Sequence, residues 1–238
     1  MEFNIPISSR KANRLIRLLD LAEGSRVVDA GCGEGEFLIR VMEMTGAAGL
    51  GVDIDAGSLA AARSKAEARV PPGGWEFRVW DLQKEALEDG AFDAAICLGS
   101  THAFGAGEAA YPNTIARLAR AIRPGGQVLV GEGYWKAQPV SEYLELIGEP
   151  VGIYRDHAQN IWFAEEQGLV PLYAAVSSDD EWDHFEWMHR MRIERESLSR
   201  RDDAEVAGRL RRSRVWRDGY LRWGRSTMGF GFYLFARP

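Results

Sequence analysis

Apolar and polar residues along this chain follow two periods in turn, and their succession predicts an α/β protein. Val27 and Val28 open a run without polar alternation, as a strand buried on both faces does. The run breaks at a glycine turn before a helix-like stretch from 34 to 44. The same strand-then-helix order returns at 49–55 and 58–69. After the break at Pro71-Pro72-Gly73-Gly74, residues 75–79 alternate as a third strand, and 91–99 form a fourth before a helix at 108–122. A fifth strand is expected over 127–132, a helix over 160–167, a strand over 169–177 and an aromatic-rich last strand over 230–236. Ahead of these, residues 10–20 set Leu15, Leu18 and Leu19 against Lys11, Arg14 and Arg17. That is the pattern of an amphipathic helix, expected to pack over the cleft at the glycine turn.

Two stretches, 136–156 and 179–225, exceed what the sheet requires, and neither has the composition of a flexible Gly/Ser linker. The second divides at Arg200-Arg201-Asp202-Asp203 into helices over 181–198 and 204–223, the latter with Val206, Leu210, Trp216, Tyr220 and Trp223 near the helical period. Both are expected as cap insertions, mobile over the substrate side of the cleft, within a single domain spanning residues 1–238.

Composition narrows the partners. With 238 residues and 46% hydrophobic content the chain has enough apolar surface for one substantial core. A net charge of -6 disfavours nucleic acid and leaves a small molecule as the expected partner. Cys32 and Cys97 sit beside strands and form no spaced framework. The N-terminal residues lack a basic region followed by an apolar core, and no apolar run is long enough for a bilayer. A soluble cytoplasmic protein without a membrane partner is expected. Residues 190–225 nevertheless hold twelve Arg against six Asp or Glu, just after the acids at 179, 180, 181, 183 and 186. One account is a solvated helix pair with acids at a helix N-terminus, where the dipole favours them. The other is substrate recognition, by Arg for a carboxylate or phosphate, or by Trp182 and Trp187 with acids for an amine.

The glycine turn carries the chemistry. Glycine at 31, 33 and 35 lets the backbone take left-handed torsions and lets a ligand pass close by. A dinucleotide fingerprint would place its third glycine at 36, where Glu36 stands. Asp53 ends the second strand 18 residues beyond Gly35, near the spacing at which a carboxylate meets the hydroxyls of a ribose. Asp55 is the alternative, with a helix N-cap as its other reading.

The spacing Asp29-x-Gly31-x-Gly33-x-Gly35 resembles the first motif of the class I S-adenosylmethionine (SAM)-dependent methyltransferases. Gly51-x-Asp53 with Leu59, and the Arg123-Pro124-Gly125-Gly126 turn, resemble later parts of the same family. Gly131-Glu132-Gly133-Tyr134-Trp135, Glu181-Trp182-Asp183 and Phe230-Gly231-Phe232 are similar to a bacterial branch of small-molecule methyltransferases within it. The resemblance implies a seven-stranded doubly wound Rossmann-like sheet with an antiparallel last strand. It also implies SAM as cofactor, with S-adenosylhomocysteine as its product. Carried over residue by residue, Asp29, Gly31, Cys32 and Gly33 line the cofactor, Asp53 and Ile54 its ribose, and Asp81 takes the adenine amino group. The Leu82 N–H reaches an adenine ring nitrogen, and Leu98, Gly99 and Ser100 border the reaction chamber.

Methyl transfer is an in-line displacement whose sulfonium charge disappears as the bond breaks, so positioning does most of the work. A hydroxyl or ammonium acceptor must lose a proton, and His102, just after the fourth strand, is the candidate base, with Glu132 and Tyr134 as alternatives. The other role of Glu132 is to anchor the backbone from Gly131 to Gly133. His157, His184 and His189 form no metal-ligand spacing with the cysteines, so no catalytic metal is expected. A Ser-His-Asp hydrolase is disfavoured because Gly-x-Ser-x-Gly is absent. The rival classes are an NAD(P)-dependent oxidoreductase, against which the missing glycine and Asp81 count, and a non-catalytic SAM-binding regulator.

Overall fold

In the computed structural model, which describes residues 2–238, one sheet holds every strand. Its members are β1 (Arg26–Ala30), β2 (Ala48–Asp53), β3 (Trp75–Val79), β4 (Phe92–Leu98), β5 (Ile122–Trp135), β6 (Val170–Val176) and β7 (Met228–Ala236). They lie in the order β3-β2-β1-β4-β5-β7-β6, and only β7 runs antiparallel to its neighbours.

The apolar runs are explained by burial on both sides. Val27 and Val28 are adjacent, so they point to opposite faces, and each is fully buried. Val27 packs into one core with α1 (Ser9–Leu18), α2 (Glu36–Thr45) and α3 (Ala56–Arg69), while Val28 packs into a second with α4 (Ala110–Ala121) and α6 (His157–Glu166). β7 repeats this alternation, with Phe232 and Leu234 in the first core and Tyr233 and Phe235 in the second. Truncating a side chain as enclosed as Phe232 to alanine costs about 3–5 kcal/mol.

Local signals fix the helix starts. Asp55 accepts the Gly57 N–H at 2.9 Å and caps α3, and Asp156 with Gln159 forms a capping box that starts α6 at His157, three residues before the expected start. Ser178 and Glu181 do the same for the long α7 (Asp179–Ser199). α7 packs on α8 (Ala204–Gly219), whose last turn loosens into a π-helical Tyr220–Gly224, and α5 (Ser141–Ile147) rests on α8.

Several expectations need correction. β2 stops at Asp53, because Asp55 is spent on its cap. β5 begins at Ile122, paired with Phe92, and its register shifts before Gln127 meets Ala94, so the Arg-Pro-Gly-Gly turn bulges inside a longer strand. Leu18 is 38% exposed, and the inward face of α1 is Ala12, Leu15, Ile16 and then Leu19. That helix rests on α2 rather than over the cleft, which is covered by the extended residues before it.

Candidate active site

A parallel sheet whose strand order turns back leaves a crevice beyond the carboxyl ends of the two strands at the reversal, here β1 and β4. β1 ends in Asp29-Ala30 and enters the glycine turn, where the Gly31 and Cys32 N–H groups still bond to the Val52 carbonyl at 2.8 and 3.0 Å. Gly31 (φ 74°) abuts the end of β4. A Cβ there would meet Ser100 Oγ at 2.7 Å, and that hydroxyl donates to the Gly31 carbonyl at 3.1 Å. Gly33 (φ 54°) differs, because a Cβ built on it meets no protein atom within 4 Å. Its open side faces the crevice, which is the cradle a ligand needs.

The crevice consists of two adjoining hollows, of about 560 and about 150 Å³. Gly31, Asp53, Ser100 and His102 line both. The larger is also lined by Asp29, Cys32, Gly33, Leu98 and Gly99, and the smaller by Ile54, Trp80, Asp81, Leu82 and Gln83. Ile54 is 69% exposed, so an apolar side chain borders the small hollow without a protein neighbour to cover it.

Charge is unevenly held. Asp53 accepts the Gly33 N–H at 2.8 Å on one carboxylate oxygen and the Asp55 N–H at 2.9 Å on the other, which ties the glycine turn to β2 and leaves each oxygen a further lone pair. Burial, with the Asp53 charge beside it, pushes the Asp29 carboxyl up to about 7. Burial also raises the Cys32 thiol, so it lines the cleft as a neutral group. Asp81 pairs with Lys84 at 2.8 Å and accepts the Gln83 N–H at 3.0 Å, which holds its carboxyl below the usual range while its edge stays open to the small hollow.

The candidate bases separate in space. His102 is exposed at the junction of the hollows, and its carbonyl accepts the Gln83 side-chain amide at 3.3 Å. Glu132 is buried, 8% exposed, and lines neither hollow. Its carboxylate accepts the Gly133 N–H at 2.8 Å, and burial pushes its pKa up to about 7 against the lowering effect of the Thr101 side chain. Tyr134 also lies away from both hollows, with its ring 5.3 Å from that of His157.

The larger hollow also takes residues from two distant segments that the sequence does not place there. Phe3 and Ile5 come from the extended N-terminal segment, and a Cβ on Gly99 would approach Ile5 Cγ2 to 2.6 Å, so Ile5 sits on the end of β4. The segment is pinned by Glu2 to Arg40, by the Ser177 hydroxyl to the Pro6 carbonyl, and by the Ser8 N–H to Glu181 at 2.9 Å. The alternation of Phe3, Ile5 and Ile7 is the only hint in the sequence. His189 and Arg192 come from α7. Trp182, expected near the mouth, is instead buried with its ring 6.4 Å from Phe230, and Trp187 is 46% exposed.

Comparison with known proteins agrees with this geometry. Residues 27–126 match the family model described as a methyltransferase domain. The uncharacterised protein YjhP of Escherichia coli K12 is 28% identical over 98% of this chain and 93% of its own. A 27-O-demethylrifamycin SV methyltransferase of Amycolatopsis mediterranei is 28% identical over 52% of this chain and 44% of its own. In structure, a SAM-dependent methyltransferase from Geobacter sulfurreducens, solved with S-adenosylhomocysteine, superposes with a TM-score of 0.88 at 24% identity. It covers 100% of this chain and 94% of that one.

Proposed function

We propose that this chain, whose residues 27–126 match a methyltransferase domain, is a class I SAM-dependent methyltransferase acting on an oxygen or nitrogen atom of a small-molecule acceptor. The observation that carries this reading is the pair of hollows meeting at Gly31, Asp53, Ser100 and His102, because a two-part ligand fits where a single pocket would not. The small hollow, with uncovered Ile54 and the open edge of Asp81, suits a flat base bearing an amino group. The free lone pairs of Asp53 suit a ribose diol, and the open side of Gly33 suits the chain that follows. A volume of about 560 Å³ for the larger hollow is within the range of small-molecule sites, and the rifamycin relative is named for such a substrate.

Bound SAM supplies an electrophilic methyl group on a sulfonium. The protein's share is positioning and a proton. Leu98, Gly99 and Ser100 form the floor at the end of β4, with Ile5 over it, and these fix where the reacting groups can lie. His102 is the one candidate base that reaches the crevice, and it takes the acceptor's proton when the acceptor is a hydroxyl or ammonium. Glu132, held behind the crevice by the Gly133 N–H, orders the β5 backbone.

The test is incubation of the protein with methyl-labelled SAM and a bacterial metabolite extract, read by mass spectrometry. A labelled low-molecular-weight product is expected. Label incorporated only into protein or nucleic acid, or SAM bound without any labelled product, would overturn the assignment.

A further inference from the structure

One side of helix α7 runs from the core at Trp182 to the larger hollow. Positions 182, 185, 189 and 192 follow one another at helical spacing, and their character changes along the axis. Trp182 is buried near Phe230 in the core, Phe185 packs beside it, the His189 ring meets Phe185 edge-on at 4.9 Å, and exposed Arg192 follows at the rim of the hollow. The apolar end docks the helix, while the polar end, His189 and Arg192, lines the larger hollow.

Among the described residues, the other basic side chains that border the acids of this hollow are already paired. Arg192 is the only Lys or Arg among the lining residues of that hollow. Its acids are mostly engaged: Glu36 with Arg40 and Arg69, Glu34 with Lys65, Glu2 with Arg40, and Asp53 with two backbone N–H groups. Nearby arginines of the same helix pair are engaged too, Arg190 with Glu186 and Arg214 with Glu194. Among the described residues Arg192 has no such carboxylate, although acids surround it in sequence. Burial and the Arg192 charge lower the pKa of His189, so at neutral pH it is an uncharged hydrogen-bonding neighbour that adds no second positive charge.

We infer that Arg192, with His189 beside it, is a carboxylate-binding site presented to the cleft by α7. This rests on the methyltransferase reading above. Two sources can supply the group: the amino-acid tail of the cofactor, or an anionic acceptor. A guanidinium–carboxylate contact in a cleft is charge-assisted and can be bidentate, which lysine cannot reproduce.

Calorimetry and product analysis on Arg192→Ala, Arg192→Lys and the control Arg195→Ala, which does not line the hollow, separate the cases. If the carboxylate is the cofactor's, Arg192→Ala weakens S-adenosylhomocysteine by roughly 10- to 150-fold, the worth of hydrogen bonds to a charged group. It leaves 5′-methylthioadenosine, which lacks the amino-acid tail, unchanged. If the carboxylate is the acceptor's, both nucleosides bind as in the parent. The labelled product formed from metabolite extract at saturating SAM, retained on an anion exchanger, then falls by a similar factor. Arg192→Lys is intermediate in either case, and Arg195→Ala matches the parent. Equal loss of both nucleosides, or no change in binding or in anionic product, overturns the inference. Absence of S-adenosylhomocysteine binding by the parent protein would instead overturn the functional assignment.

Discussion

Glu132→Gln isolates a buried charge with little change in shape. The wild-type carboxyl is moved by burial from its ordinary 4.5 to about 7, and at about 1.4 kcal/mol per unit this is a differential of about 3 kcal/mol. The sign follows from the direction. A group whose folded pKa is raised contributes fully below the unfolded value and loses that contribution as pH rises through the folded one. Wild-type stability therefore falls between about pH 4.5 and 7, whereas glutamine, neutral throughout, keeps an acceptor for the Gly133 N–H and has no such loss. Asp29 titrates in the same direction but is present in both proteins, so it cancels in the difference. Thermal melts should show the two proteins close together at pH 4.5. The variant should be higher by about 6–12 °C at pH 8.5, taking roughly 2–4 °C per kcal/mol for a chain of this size. Turnover should fall by less than about tenfold, since Glu132 lines neither hollow, against the 100-fold or more expected of a general base. A melting difference independent of pH would show that Glu132 is already ionised in the fold. A 100-fold loss of turnover would make it the base.

Asp53→Ala should weaken S-adenosylhomocysteine by about 1.5–3 kcal/mol in calorimetry, and Asp55→Ala should leave binding nearly unchanged while lowering the melting temperature through loss of the α3 cap. The reverse ranking would reassign the ribose contact. His102→Ala should lower turnover of the identified acceptor by roughly 100- to 10,000-fold at nearly constant SAM affinity; a loss below about tenfold across pH 6 to 9 would remove it as the base. Hydrogen exchange should slow on ligand binding in residues 2–7 and in the second half of α7. The first half, anchored by Trp182, should be protected already; uniform exchange along α7 with and without ligand would show fixed structure throughout.

How far the sequence revealed this arrangement depended on how local each cause was. The glycine turn, Asp53, Asp81 and the end of β4 are set by one strand and the turn after it, so short-range pattern places them beside one crevice. Asp55 was legible as a cap for the same reason. Leu18 matches the leucine pattern of α1, but small Ala12 and branched Ile16 complete its inward face and leave Leu18 outside it. Phe3, Ile5, His189 and Arg192 reach the cleft only through docking events between distant segments. These are the Ser8 to Glu181 and Pro6 to Ser177 bonds and the burial of Trp182 near Phe230, and no periodicity records such pairings. Trp182, expected as a substrate contact because the helix carrying it lies outside the sheet, is part of the core.

The central claim, that the two hollows hold one adenosyl ligand, is tested most directly by calorimetric titration of the purified protein with SAM, S-adenosylhomocysteine and NAD, alongside Gly33→Val. The account predicts one-to-one binding of the first two, no binding of NAD, and loss of binding when a side chain fills the open face of Gly33. Tight NAD binding without SAM heat, or undiminished S-adenosylhomocysteine binding by a folded Gly33→Val, would contradict it.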